Sequence, residues 1–176
     1  MPCRCRVATP GFWFGMQWCT RCTEPIAERT TRKRPVAGPL VILADTREQR
    51  VPPFPDGVTV ERVTLSEGDY TTRALYGSAR IERKSESDLL GSLTRGRERL
   101  EREADRLRKF PFRCIVVEGS FASCARGSGM TETSLLGSVA SLHARWEIPT
   151  VFLDSPATVG AYIAGVLRRL EEECST

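Results

Sequence analysis

Short apolar runs closed by charged turns constrain this chain more than anything else. LVILA at 40–44 and RCIVVEG at 113–119 are too short and too evenly apolar for surface helices, and read as buried strands. VTVERVTL at 58–65 alternates as a half-buried strand does. Residues 69–84 read as a hairpin with Gly77-Ser78 near its turn, and TVFL at 150–153 as a last strand. Helical spacing fills the gaps. Over 97–109, Leu100, Ala104 and Leu107 share a face, and Glu98/Arg102 and Asp105/Lys109 form i,i+4 pairs. Over 131–146, Leu135, Val139, Leu142 and Trp146 form one stripe. Ser155-Pro156 supplies an N-cap and first-turn proline for a helix bearing Val159, Ile163, Val166, Leu167 and Leu170. Strands first, then helix and strand in alternation, predict a three-layer α/β domain over 40–172.

The front of the chain is different. Four of its seven cysteines (Cys3, Cys5, Cys19, Cys22) fall in residues 1–22. Residues 23–39, TEPIAERTTRKRPVAGP, read as a basic linker. Residues 1–39 carry seven Arg or Lys against two acids, net +5, and the remainder is net −1. At 176 residues there is room for one domain with an appendage. The start lacks the apolar core of a signal peptide, and no apolar run approaches the ~20 residues of a membrane span. A cytoplasmic protein is therefore expected, rather than a secreted or membrane one.

Carboxylates and one lysine gather at the predicted strand ends. Asp45 and Glu48 follow the first strand, Asp69 begins the hairpin, and Glu82 and Lys84 lie on its returning strand. Alternation puts Glu82 and Lys84 on one face, about 7 Å apart, with Arg83 opposite. Several carboxylates around one point make an oxygen-rich site for a hard cation such as Mg²⁺. A lysine beside it can orient a water and stabilise charge on a phosphorane. Only Lys33, Lys84 and Lys109 are lysine among 26 basic residues, so a lysine at this spot carries information.

The order of these residues says more than their types. Gly68-Asp69-Tyr70, then Glu82-Arg83-Lys84 and Asp88, read GDY…ERKx3D, and Asp45-Thr46-Arg47-Glu48 precedes them as DxRE. This pattern resembles the signature of the XPF-type structure-specific DNA endonucleases, a branch of the PD-(D/E)XK nucleases. The likeness continues through Ser87–Leu93 to Gly96-Arg97 and spans nearly all of 40–172.

The resemblance implies a three-layer, restriction-endonuclease-like nuclease domain with a central mixed sheet, over 40–176. It implies that Asp69 and Glu82 are the principal ligands of Mg²⁺ or Mn²⁺, with Asp45 and Glu48 completing the acidic site. It makes Lys84 the catalytic lysine. Arg47 and Arg83 would hold the scissile phosphate or order the acids, and Asp88 would orient the cluster. Arg97 and Arg99 would meet the DNA backbone. The expected reaction is metal-dependent hydrolysis of DNA at branched, flap or single-strand/double-strand junction structures, in repair or recombination. A nucleoid association follows if the source is bacterial or phage. Family members usually carry a tandem helix-hairpin-helix domain after the nuclease, which is not expected within these 176 residues. A homodimer or a separate DNA-targeting partner stays open. Two other readings stay open as well: a non-catalytic DNA-binding partner with a nuclease-like fold, and a zinc-ribbon regulator.

Cys3-x-Cys5 and Cys19-x2-Cys22 could supply four thiolates to a tetrahedral Zn²⁺, or be four free thiols in a tail. Residues 1–22 are thus a candidate zinc module. The basic front end would add salt-sensitive affinity for DNA phosphates. His143, the only histidine, sits mid-helix and reads as structural.

Overall fold

The structure, a computed structural model, describes residues 10–13, 16–19, 38–127 and 129–174. The chain divides into two compact units, Met1–Arg34 and Pro35–Thr176. The described part of the first is a small antiparallel pair, β1 (Pro10–Trp13) and β2 (Met16–Cys19). Cys3, Cys5 and Cys22 lie outside the described residues, and Cys19 enters only as a strand position.

The second unit is built on a six-stranded sheet of order β4-β3-β5-β6-β7-β8. Its strands are β3 (Leu40–Asp45), β4 (Val58–Val63), β5 (Tyr70–Thr72), β6 (Ala79–Ser85), β7 (Phe112–Glu118) and β8 (Thr150–Leu153). β5 runs antiparallel to both of its neighbours, while β3/β4, β6/β7 and β7/β8 are parallel, so the sheet is mixed. The apolar runs that read as buried strands are β3 and β7, interior strands whose two faces must both be covered.

Helices supply that cover. One face of the sheet (Ile42, Ala44, Tyr70, Ile81, Val116) packs with Val159, Ile163 and Leu167 of α5 (Pro156–Cys174). On the other face Ile115 and Val117 pack with α1 (Glu86–Leu93), α2 (Arg97–Leu107) and α4 (Glu132–Trp146). A short helix, α3 (Phe121–Gly127), follows β7. The result is a three-layer α/β domain around a mixed sheet.

Two helices escaped the periodicity reading, α1 and α3. They span 8 and 7 residues, about two turns each, too few for a 3.6-residue period to declare itself. α1 did leave a local signal. Ser85 and Asp88 stand three apart as a capping box, and the Asp88 backbone N–H donates to Ser85 Oγ at 3.1 Å.

Two glycines set the site's frame. Gly68, at φ +66°, takes a left-handed turn that side chains resist, and a Cβ there would stand 3.3 Å from Arg80 Cβ. That turn lets Asp69 N–H donate to Ile81 O at 2.8 Å and Asp69 O accept from Asp45 N–H at 2.8 Å. Gly160 of α5 lies so close to Pro53 that a Cβ would stand 2.0 Å from its carbonyl oxygen. The helix therefore presses directly on the loop that carries Arg47 and Glu48.

Candidate active site

β3, β5 and β6 end near one another, and the register of the sheet decides which acids meet. Ala44 pairs with Tyr70, and Tyr70 with Ile81. Those three face α5, so Asp45, Asp69, Glu82 and Lys84 point to the opposite face by alternation. There Asp69, Glu82 and Lys84 border an open cleft of about 310 Å³, also lined by Arg47, Glu48, Arg83, Asp88, Arg99 and Glu103. Asp45 does not reach the cleft.

Asp45 is fully buried and its carboxylate is occupied by protein donors. Oδ1 accepts from the Arg47 N–H at 2.8 Å and Arg47 Nε at 2.7 Å, and Oδ2 from the Leu65 N–H at 2.6 Å. Burial works against its charge, yet these donors hold its pKa below the ordinary carboxylate value. Asp45 thus braces Arg47, whose side chain is 67% exposed and reaches the cleft.

Asp69 and Glu82 are in the opposite condition. Burial pushes the Asp69 carboxyl up to about 6, although the Arg83 backbone N–H donates to its Oδ2 at 2.7 Å. Burial, then the neighbouring charge of Asp69, raises Glu82 well above its usual value. Lys84 Nζ lies 3.0 Å from Glu82 Oε1 and 2.8 Å from Glu103 Oε1. Burial disfavours its charge, but those two carboxylates outweigh it and raise its pKa, so Lys84 is an ammonium.

A second polar cluster lies toward the α5 face. Arg83 NH1 is 3.3 Å from Glu48 Oε1, and its other nitrogens bond Glu118 at the end of β7. Tyr70 Oη donates to Glu48 Oε2 at 3.1 Å. Arg83 is only 11% exposed, so it orders acids rather than reaching outward. Asp88, in the first turn of α1, accepts from the N-cap Ser85 Oγ at 2.7 Å, at the rim of the cleft. Arg99 lines the cleft, whereas Arg97 pairs with Glu101 at 3.5 Å and borders a separate crevice beside Trp146.

Glu103, Glu118 and Tyr70 were not among the residues singled out as acting at the site. Glu118 had a signal, since it closes a buried strand as Asp45 does. Glu103 had one too, because position 103 completes the Leu100, Ala104, Leu107 stripe at i+3.

The oxygen-only donors Glu48, Asp69 and Glu82 fit a hard divalent cation, which would also relieve the buried charge of Asp69 and Glu82. Among the described residues, no three His, Cys, Asp or Glu side chains are already arranged to hold a metal ion. Lys84 holds Glu82 instead.

A mixed sheet between helix layers, with acids and a lysine at adjoining strand ends, is the frame of a nuclease-type α/β domain. The chain belongs to the ERCC4 domain family, whose model matches residues 44–166, and carries an XPF-type nuclease domain. It is similar to XPF from Aeropyrum pernix in complex with DNA, with 30% identity and a TM-score of 0.62 over 77% of this chain. It is also similar to a second structure, XPF from Aeropyrum pernix, with 30% identity and a TM-score of 0.63 over 77% of this chain. The match spans 66% of the first of those chains and 67% of the second. No curated protein sequence matches this one. Among the described residues, no helix is long and apolar enough to cross a membrane.

Proposed function

We propose that this protein is a divalent-metal-dependent endonuclease that hydrolyses DNA phosphodiester bonds at branched or flap structures. The observation that carries the reading is the convergence of Asp69, Glu82 and Lys84 on one cleft in an ERCC4-family domain. The similar Aeropyrum pernix protein was solved with DNA, and the choice of DNA as partner rests on that likeness.

Asp69 and Glu82 would hold Mg²⁺ or Mn²⁺, with Glu48 at its edge. A cation bound there supplies charge neutralisation at the phosphate and acidifies water. Lys84 is a donor and a positive charge rather than a base, because its carboxylate neighbours keep it protonated. It orients the attacking water and stabilises the charge that builds on the phosphate oxygens. Arg47 is exposed at the cleft and held by Asp45, which suits it to grip the scissile phosphate. Arg99, across the cleft on α2, would contact the DNA backbone. Arg83 and Tyr70 keep Glu48 in place. The basic front end, net +5 over residues 1–39, would add non-specific affinity that falls with salt. A homodimer or a separate targeting protein would complete substrate selection.

The test is cleavage of flap, fork and plain duplex DNA with and without Mg²⁺, comparing wild type with Asp69→Ala and Lys84→Ala. Loss of cleavage in both variants, and preference for flap or fork over duplex, support the reading. If all three proteins behave alike, the enzyme reading is wrong.

A further inference from the structure

Helix α2 buries Leu100, Ala104 and Leu107. The same stripe at i, i+3, i+4 and i+7 includes position 103, where the chain places a glutamate. A carboxylate on the buried face of a helix is costly unless it is paired. Glu103, 17% exposed, is paired with Lys84 Nζ at 2.8 Å. Lys84 is itself 8% exposed, and its other carboxylate partner is Glu82 at 3.0 Å. The ammonium thus sits in a fork, with one prong from its own strand and the other from α2.

The helix that carries the second prong is tied down just past Glu103, at two successive residues. Arg106 Nε donates to Glu67 Oε2 at 2.8 Å, in the turn just before Asp69. Trp146 Nε1 donates to Asp105 Oδ1 at 2.9 Å, which joins α2 to α4. A lysine has four rotatable side-chain bonds and tends to extend its charge toward water. Glu82 alone holds it through one hydrogen bond, whereas the fork fixes its direction.

We propose that Glu103 is a positioning residue, which holds the Lys84 ammonium beside the Asp69–Glu82 pair and so makes α2 part of the active-site frame. Its effect on rate rests on the endonuclease reading. The link between Glu103 and Lys84 does not.

The experiment separates the two. With three lysines in the chain, ¹⁵Nζ-lysine labelling gives a spectrum in which Lys84→Arg identifies the Lys84 signal. In the metal-free wild type the forked ammonium exchanges its protons slowly and is observed. Glu103→Gln should broaden or shift that signal, while Glu98→Gln, on the exposed side of the same helix, should leave it alone. In cleavage assays Glu103→Gln should lower kcat by roughly 10- to 100-fold, the usual cost of removing an outer partner of a metal-site group. KM for DNA should stay near wild type, and Glu103→Asp should recover part of both signal and rate. Glu103→Asp also carries the test if Glu103→Gln does not give a native circular dichroism spectrum. An unchanged Lys84 signal in these variants overturns the proposal, whether or not the rate falls. A wild type that never cleaves DNA refutes the endonuclease reading and leaves the ¹⁵N result to decide the link.

Discussion

The backbone N–H of Arg83 donates to the Asp69 carboxylate at 2.7 Å. A main-chain group of β6 therefore aims an acid from the preceding turn into the cleft, and no side-chain rotamer is needed to hold it. The arrangement keeps Asp69 half-buried among other acids, so the site stores unfavourable charge until something positive enters.

That stored charge predicts opposite effects on activity and stability. Asp69→Asn keeps the acceptor for Arg83 N–H and removes the buried charge. It should abolish Mg²⁺-dependent cleavage while stabilising the metal-free protein at pH 7 by about 1–2 kcal/mol, read from denaturant midpoints. A destabilised Asp69→Asn would show that the carboxylate is not strained by burial.

The same group sets a pH dependence. Asp69 is raised from 3.8 to about 6, so between these values the folded state binds more protons than the unfolded one. Its contribution to stability is complete below pH 3.8 and is lost as pH rises through about 6. Metal-free wild type should therefore lose more stability than Asp69→Asn between pH 4 and pH 7. Added Mg²⁺ should raise Tm more at pH 7.5 than at pH 5. Parallel pH–stability curves for the two proteins would contradict this.

Arg83 tests the neighbouring cluster with Glu48 and Glu118. It is buried between Glu48 and Glu118, and its removal leaves two part-buried carboxylates without their cation. Arg83→Met should cost about 3–5 kcal/mol in urea unfolding. The exposed ion pair of Arg102 with Glu98 at 3.8 Å offers a contrast, and Arg102→Met should change stability by less than about 1 kcal/mol. Equal losses would mean that burial does not distinguish the two arginines.

Gly68 provides a backbone test. Its φ of +66° and the 3.3 Å approach of Arg80 Cβ both resist a side chain. Gly68→Ala should destabilise the fold by about 1–2 kcal/mol and slow cleavage, because the turn that delivers Asp69 is displaced. Wild-type stability and rate together would show that the turn tolerates a Cβ.

The front end is tested by composition. If Cys3, Cys5, Cys19 and Cys22 hold zinc, purified full-length protein should carry about one equivalent, and a chain starting at Arg32 none. Equal and negligible zinc in both would end that proposal.

Much of this was legible in the chain. Buried strands announce themselves because a strand covered on both faces must be apolar throughout, as LVILA and CIVV are. The long helices declare themselves because three or more turns repeat their stripe. The acids and Lys84 could be read because motif order fixes which strand end each occupies, and strand alternation fixes their face. The short helices α1 and α3 could not, since two turns give a pattern no stronger than chance.

Tertiary structure decided how the charges are shared. Nothing in the order DxRE shows that Asp45 turns into the protein, where the Leu65 N–H, twenty residues away, claims one of its oxygens. Nothing in ERK shows that Lys84 takes a second carboxylate from a helix nineteen residues on, or that Arg83 meets Glu118 across a parallel strand. A pattern along the chain records which groups are available and which way each strand turns them. Which acid is neutralised, which stays raised, and which arginine is exposed at the cleft depend on distances between separate elements and on the water each group loses. Those quantities exist only once the sheet has set its register and the helices have closed over it.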